Sequence, residues 1–393
     1  MTPAARVQAA IEILDLVIAA ARANGAPADR MVTEWFRTRR FAGSGDRRAV
    51  RELVFRAIRA CGDIPMSGRA AMLLLAMDDP VLASLFDGSR HAPEPVGDDE
   101  RPAEPGIAPP WLAARLAESG IEGEAARALL DRAPLDIRVN ALKASRETLV
   151  LPVPAEPTQA QSGLRLPSGT PVESWDAFRD GLIEVQDTAS QLVVEALVPQ
   201  PGEFVIDLCA GAGGKTLAIA AAMENRGRIV ACDTDRARLG RLAPRAERAG
   251  VGIVETQLLN PGQELTALEP FVGKADAVLV DAPCSGTGTW RRNPEARWRL
   301  DPASLERTNA LQSRLFDVAA RLVKPGGRIV YAVCSLLDAE GPERVARFLA
   351  DNPDWRADPP ALSAGLPRDS GIRLSPSHDG TDGFYIARIL AIC

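Results

Sequence analysis

Two cysteines lie just past apolar runs that read as strands. AVLVDAPCSGTG (Ala277–Gly288) sets Asp281, a proline and Cys284 beyond one run, and RIVYAVCS (Arg328–Ser335) sets Cys334 beyond another. A third run opens FVIDLCAGAGGKT (Phe204–Thr216), where glycines at 211, 213 and 214 allow a sharp turn and close approach of a ligand. The next run ends in IVACD, so that Asp233 can accept both hydroxyls of a ribose, with helix capping as its structural alternative. A thiol, an acid and a ribose-binding loop suit methylation of a pyrimidine at carbon 5. That carbon is a poor nucleophile in cytosine, and a thiolate adding to carbon 6 makes the ring enamine-like and able to attack a methyl sulfonium. An acid near ring nitrogen 3 stabilises the developing charge; a base then takes the carbon 5 proton and the thiol is eliminated. The residue types leave open which cysteine attacks.

Competing chemistries fail on particular residues. A phosphate-binding Walker loop would need glycine five positions before Gly214, where Cys209 stands. The loop also lacks the Gly-x-Gly-x-x-Gly spacing of dinucleotide enzymes. Two histidines, His91 and His378, are too few and too remote for an imidazole metal site or a serine triad. The cysteines at 61, 209, 232, 284, 334 and 393 form no Cys-x-x-Cys pair, and Cys209 and Cys232 read as small buried hydrophobes. No metal is expected.

The elements that must position these residues are strands alternating with helices. Apolar runs at 204–206, 229–231, 277–280 and 329–333 are separated by helical stretches at 216–223, 236–249 and 304–322. This predicts an α/β fold with a mostly parallel, doubly wound sheet whose ligands bind at the carboxyl ends of the strands. Residues 1–90 are predicted all-helical, with Val7, Ile11, Leu14, Val17 and Ile18, then Val50, Leu53, Val54 and Ile58, at helical spacing. Residues 91–107 are acidic and proline-rich and read as a linker; 108–175 read as a small mixed α/β subdomain and 176–393 as the catalytic domain. No apolar run is long enough to span a bilayer, Ile11–Ala23 reads as an amphipathic helix, and a reducing cytoplasm is expected.

The chain has 393 residues, with 46 basic against 52 acidic side chains and a net charge of −6, which argues against a protein that coats nucleic acid by charge. Positive charge is nonetheless local. Eight arginines lie between Arg37 and Arg59, and RRNPEARWR (291–299) interleaves Arg291, Arg292, Arg297 and Arg299 with Trp290 and Trp298. Both read as RNA-facing surfaces, the second for a flipped-out base; a solvated helix face and a structural loop are the respective alternatives.

In order along the chain, IRVNALK (137–143), VQDTASQLV (185–193), DLCAGAGGKT (207–216), DAPCSGTG (281–288), RRNPEARW (291–298), YAVCS (331–335) and DGFYIARI (382–389) resemble the RNA (cytosine-5) methyltransferases of the bacterial 16S rRNA methyltransferase B, Sun and nucleolar-protein type. DRRAVRELVFRAIR (46–59) resembles the NusB-like RNA-binding domain of the rRNA branch. The resemblance implies a Rossmann-like class I S-adenosylmethionine-dependent methyltransferase core behind an all-α NusB-like domain, acting on RNA, with 16S rRNA ahead of tRNA; a monomer is expected, although no residue pattern in the sequence reports the oligomeric state. It implies that Cys334 is the nucleophile, that Cys284 assists product release, and that Asp281 contacts the cytosine beside the cofactor. Cys209, Ala210, Gly211, Ala212, Gly213, Gly214 and Lys215 would wrap S-adenosyl-L-methionine, with Asp233 on its ribose. Two departures stand out: Val333 replaces the usual threonine, and IVETQLLN (253–260) lacks the usual aspartate for the adenine, leaving Asn260 as the nearest acceptor. A non-catalytic RNA-binding protein with a degenerate core is the alternative, and such a core should have lost Cys334, Asp281 or the glycine loop.

Overall fold

The computed structural model describes residues 1–392. They form two compact units. One comprises Met1–Asp131 with Thr289–Asp301, the other Arg132–Gly288 with the chain from Pro302 onward. Among the described residues, no helix is long and apolar enough to cross a membrane.

The first unit is built on helices α1 (Pro3–Arg22), α2 (Ala28–Arg37), α3 (Ser44–Ala60) and α4 (Gly68–Met77). Thr2 caps α1 by accepting from the Ala5 N–H, and Pro3 occupies the first helical turn, where no donor is lost. The apolar stripe read from the sequence is the buried face: Val7, Leu14, Val17, Val50, Val54 and Ile58 are all inaccessible to solvent. Gly68 lets α4 start against α1, since a Cβ there would lie 2.2 Å from the Ile11 carbonyl oxygen. The acidic stretch 91–107 is not a solvated tether. Its backbone bonds along the helices, Ala103 N–H to Ala70 O at 2.9 Å and Gly62 N–H to Glu104 O at 3.1 Å, and Arg69 pairs with Glu100 at 2.6 Å.

Residues 289–301 correct an expectation. Trp290 and Arg297 are fully buried, Arg291 nearly so, and Trp298 joins the helical core. The Arg297 guanidinium donates at 2.7 Å to the carbonyls of both Ile58 and Cys61, occupying acceptors that the end of α3 leaves open. Burial lowers its pKa to about 10. Arg299 donates to Gly25 O at 2.7 Å and Ala26 O at 3.0 Å, while Glu295 accepts from Ala28 N–H at 2.9 Å. The loop that read as an RNA reader is a strut of the helical unit. Arg297→Ala should therefore lower the stability of the helical unit by about 3 kcal/mol or more, because it orphans buried carbonyls. Thermal unfolding checks this; an unchanged melting temperature would restore the RNA-facing reading.

The second unit carries two sheets. A small antiparallel one has strands β1 (Leu135–Val139), β2 (Glu156–Pro157), β3 (Gly163–Leu166) and β4 (Ile183–Val185), in the order β2-β3-β1-β4. The larger one has β5 (Phe204–Asp207), β6 (Arg228–Asp233), β7 (Val254–Leu258), β8 (Ala275–Asp281), β9 (Val323–Val333), β10 (Trp355–Ala357), β11 (Leu366–Arg368), β12 (Gly371–Leu374) and β13 (Phe384–Ala391). Its order is β11-β12-β13-β9-β8-β5-β6-β7, with β10 on β13. Strands β7, β6, β5, β8 and β9 are parallel, whereas β13 runs antiparallel to β9. Chain order reverses between β5 and β8, the switch point at which such sheets open a crevice. Val205, Ile206, Val278, Leu279, Val330 and Tyr331 are buried on both sheet faces, as parallel strands covered by helices require.

Candidate active site

Four strand ends converge on that crevice. Asp207 ends β5, Asp233 ends β6, Asp281 ends β8, and Cys334 follows β9 directly. A cavity of about 660 Å³ opens there, and Cys209, Asp233, Asp281, Cys284 and Cys334 all line it.

The glycine turn is built as the sequence requires. Gly211 and Gly213 have φ of +58° and +86°, and a Cβ on Gly213 would collide with the Leu242 side chain at 2.1 Å. Gly213 caps the helix Gly214–Ala222, Ala210 N–H bonds to Cys232 O at 2.7 Å, and the Ala212 carbonyl accepts from Arg245 at 2.6 Å. The Asp233 carboxylate accepts from Gly211 N–H and Asp235 N–H, each at 2.7 Å. The capping of the next helix falls to Asp235, whose side chain accepts from the Ala237 and Arg238 N–H groups. Asp233 is thus fixed at the cavity wall rather than used as a cap.

Lys215 reaches from the start of its helix to Asp281 at 2.7 Å. Burial alone would lower the lysine pKa, but Asp281, then Cys334 and Asp207, outweigh it and hold the ammonium above its usual range. Asp207 is fully buried; it accepts from Thr216 Oγ1 at 2.6 Å, and its other oxygen has no partner. Burial first, and the charge of Asp281 next, push its pKa to about 7. An unfolded aspartate ionises near pH 4, so folding takes up a proton between about pH 4 and 7. The stabilisation from this group is fully present below pH 4 and is lost as pH rises through 7. Asp207→Asn mimics the protonated carboxyl, so it should gain about 4 kcal/mol over the native chain at pH 8 and nothing at pH 4. Urea melts at both pH values measure the difference.

The two thiols meet. Strands β8 and β9 are parallel neighbours with Asp281 opposite Ala332, so the loops carrying Cys284 and Cys334 leave the sheet side by side. Their Sγ atoms are 3.3 Å apart. The hydrogen bond to Cys334, followed by burial, drives the Cys284 thiol well above its ordinary pKa. Burial likewise raises Cys209 and Cys232, keeping both as thiols.

Asn260 is exposed and does not line the cavity; Leu259, Pro261 and Glu264 form the wall there. The sequence reading did not single out Glu264, Arg238 or Arg314. Glu264 is almost fully buried and bonds to Gly262 N–H and Arg314, both at 2.9 Å. These residues stand on helices with no motif spacing, and only the fold brings them to the crevice.

Known proteins resemble this chain in sequence and fold. The sequence profile of the 16S rRNA methyltransferase RsmB/F family matches residues 194–390. The probable ribosomal RNA small subunit methyltransferase B of Synechocystis is 38% identical over 65% of this chain and 59% of its own length. That of Pectobacterium carotovorum is 32% identical over 80% of this chain and 75% of its own length. The chain spans about three fifths of the length of the Synechocystis and Bacillus subtilis relatives. The crystal structure of PH0851 superposes over 99% of both chains at 26% identity with a TM-score of 0.78. A methyltransferase homolog protein from Pyrococcus horikoshii matches 72% of this chain and 100% of its own at 30% identity, with a TM-score of 0.60. The sheet order is that of a class I methyltransferase fold. With its glycine loop, paired thiols and matched profile all in one unit, the chain belongs to the RsmB/F family of 16S rRNA methyltransferases.

Proposed function

We propose that this protein methylates carbon 5 of a cytosine in 16S rRNA, using S-adenosyl-L-methionine and a covalent adduct between Cys334 and carbon 6. The observation that carries the reading is the Cys284–Cys334 pair, 3.3 Å apart on a cavity that also holds Asp233 and Asp281. The residues present suit the cofactor: Cys209 of the glycine turn lines the cavity, the turn takes positive φ at Gly211 and Gly213, and Asp233 offers a carboxylate suited to ribose hydroxyls. Leu259 and Pro261 give an apolar wall for an adenine, with Glu264 rather than Asn260 as the side-chain acceptor at that end. When bound, S-adenosylmethionine supplies an electrophilic methyl group.

The chain's own residues do the rest. The Cys334 sulfur adds to carbon 6 of the ring, and the Lys215–Asp281 pair meets the charge that develops on the pyrimidine. After transfer a base takes the carbon 5 proton, the electron pair of that bond re-forms the 5,6 double bond, and the sulfur of Cys334 is expelled from carbon 6 with Cys284 next to it. Outside the catalytic unit, the exposed arginines at 37, 40, 47 and 48 give the helical unit a face suited to RNA phosphates. Incubation with labelled S-adenosylmethionine and RNA from a strain lacking the gene, followed by bisulfite mapping, tests the reading. One new 5-methylcytosine in 16S rRNA is expected, and absence of label in RNA would overturn it.

A further inference from the structure

Behind the thiols lies a carboxylate that neither the cavity nor the proposed reaction uses. Glu340 is fully buried between β9 and the helix Pro342–Asp351, and among the described residues no lysine or arginine pairs with it. Its acceptors are filled by neutral donors. Oε1 takes the Ser285 N–H at 2.8 Å and Gln312 Nε2 at 3.2 Å, while Oε2 takes the Ser285 hydroxyl. Gln312 also donates to Pro283 O at 2.9 Å, so both residues flanking Cys284 are tied to this group. The chain then crosses to the other thiol. Ser285 Oγ lies 3.2 Å from Ser335 Oγ, which lies 3.1 Å from Thr287 Oγ1, and Thr287 Oγ1 accepts from Leu336 N–H at 2.9 Å. The Glu340 carbonyl is itself pinned by Tyr331 Oη at 2.6 Å, on β9.

A buried carboxylate without a cation is expensive, and its oxygens are taken by Ser285 on the Cys284 loop and by Gln312, which also holds Pro283. We propose that Glu340 is a positioning residue: through Ser285, Ser335 and Thr287 it clamps the loops after β8 and β9, so that the Cys284 and Cys334 sulfurs stay within bonding distance. The clamp sets geometry and touches no substrate. It deepens the methyltransferase reading and rests on it only for its catalytic consequence.

The test uses the full chain without RNA or cofactor. Diamide accepts the two thiol hydrogens as one S–S bond forms, and peptide mass spectrometry times the appearance of the Cys284–Cys334 disulfide. Glu340→Ala is expected to slow it by about tenfold or more, since loss of the clamp lets the sulfurs drift by about an ångström. Glu340→Gln, which keeps the shape and one acceptor, should retain at least about a third of the native rate. Ser285→Ala removes the hydroxyl link while leaving the carboxylate, and should slow the reaction about fivefold. A native rate in Glu340→Ala overturns the proposal; if that variant does not fold, a native rate in Ser285→Ala does so. The readout needs no methyl transfer, so a native chain that forms the disulfide yet labels no RNA would overturn only the proposed function.

Discussion

Cys334→Ala is expected to lose methyl transfer by at least about a thousandfold while keeping its fold. The side chain is half-buried at the end of β9, at the rim of the cavity, so removing one sulfur costs little packing. Its loss should be chemical. Of the other described cysteines, Cys61, Cys209 and Cys232 have their thiols pushed up by burial, and Cys284 by its hydrogen bond to Cys334 and then by burial. None of the four is placed to act as a thiolate. Cys334 instead lies 3.3 Å from the Cys284 sulfur and acts on the Lys215 ammonium, which it helps to hold above the usual lysine range. The measurement is label transfer from S-adenosylmethionine to RNA, with circular dichroism and cofactor binding as controls for the fold. Full activity in the variant would remove Cys334 from the reaction and leave the pyrimidine ring without its nucleophile.

The catalytic unit was legible because its chemistry sits where a periodicity ends. Each apolar run at β5, β6, β8 and β9 stops at an aspartate or a cysteine, and a parallel sheet brings such stops to one edge whatever the helices between them do. The pairing of the thiols was legible only as proximity of loops; the 3.3 Å contact depends on the β8–β9 register, and the raised pKa of Cys284 on the neighbouring sulfur and on burial. The loop at 289–301 misled for a definite reason. Arginine next to tryptophan is the composition of an RNA-stacking surface and also of a buried strut, and what separates them is whether backbone carbonyls wait for the guanidinium. Here Ile58 and Cys61, more than two hundred residues upstream, supply them. The stretch 91–107 misled similarly: acid and proline suggest a tether, but Arg69 and the backbone at Ala60 and Ala70 give it partners that no local pattern announces. The antiparallel β13 beside β9 had no alternation to reveal it, since both faces of the strand are covered.

Cys284→Ala is expected to behave in the opposite way from Cys334→Ala: bond formation survives and bond breaking fails. The proposed nucleophile Cys334, the Lys215–Asp281 pair and the glycine turn are untouched by the change. What disappears is the thiol group 3.3 Å from the Cys334 sulfur. Its high pKa matters here, because a thiol that stays protonated beside a thiolate can hold charge on the leaving sulfur as the carbon 6 bond breaks, and an alanine methyl cannot. Enzyme joined to RNA should then accumulate as a species that survives detergent gels, at least about ten times the native level, while turnover falls to a comparable degree. The band must require Cys334. A Cys284→Ala/Cys334→Ala protein should show none, and a band persisting in it would mean that another group attacks the ring. If Cys284→Ala alone gives slow turnover without any trapped RNA, the sulfur's departure is not the step that Cys284 serves. The contact between the two thiols would then act before methyl transfer, by holding Cys334 ready for attack.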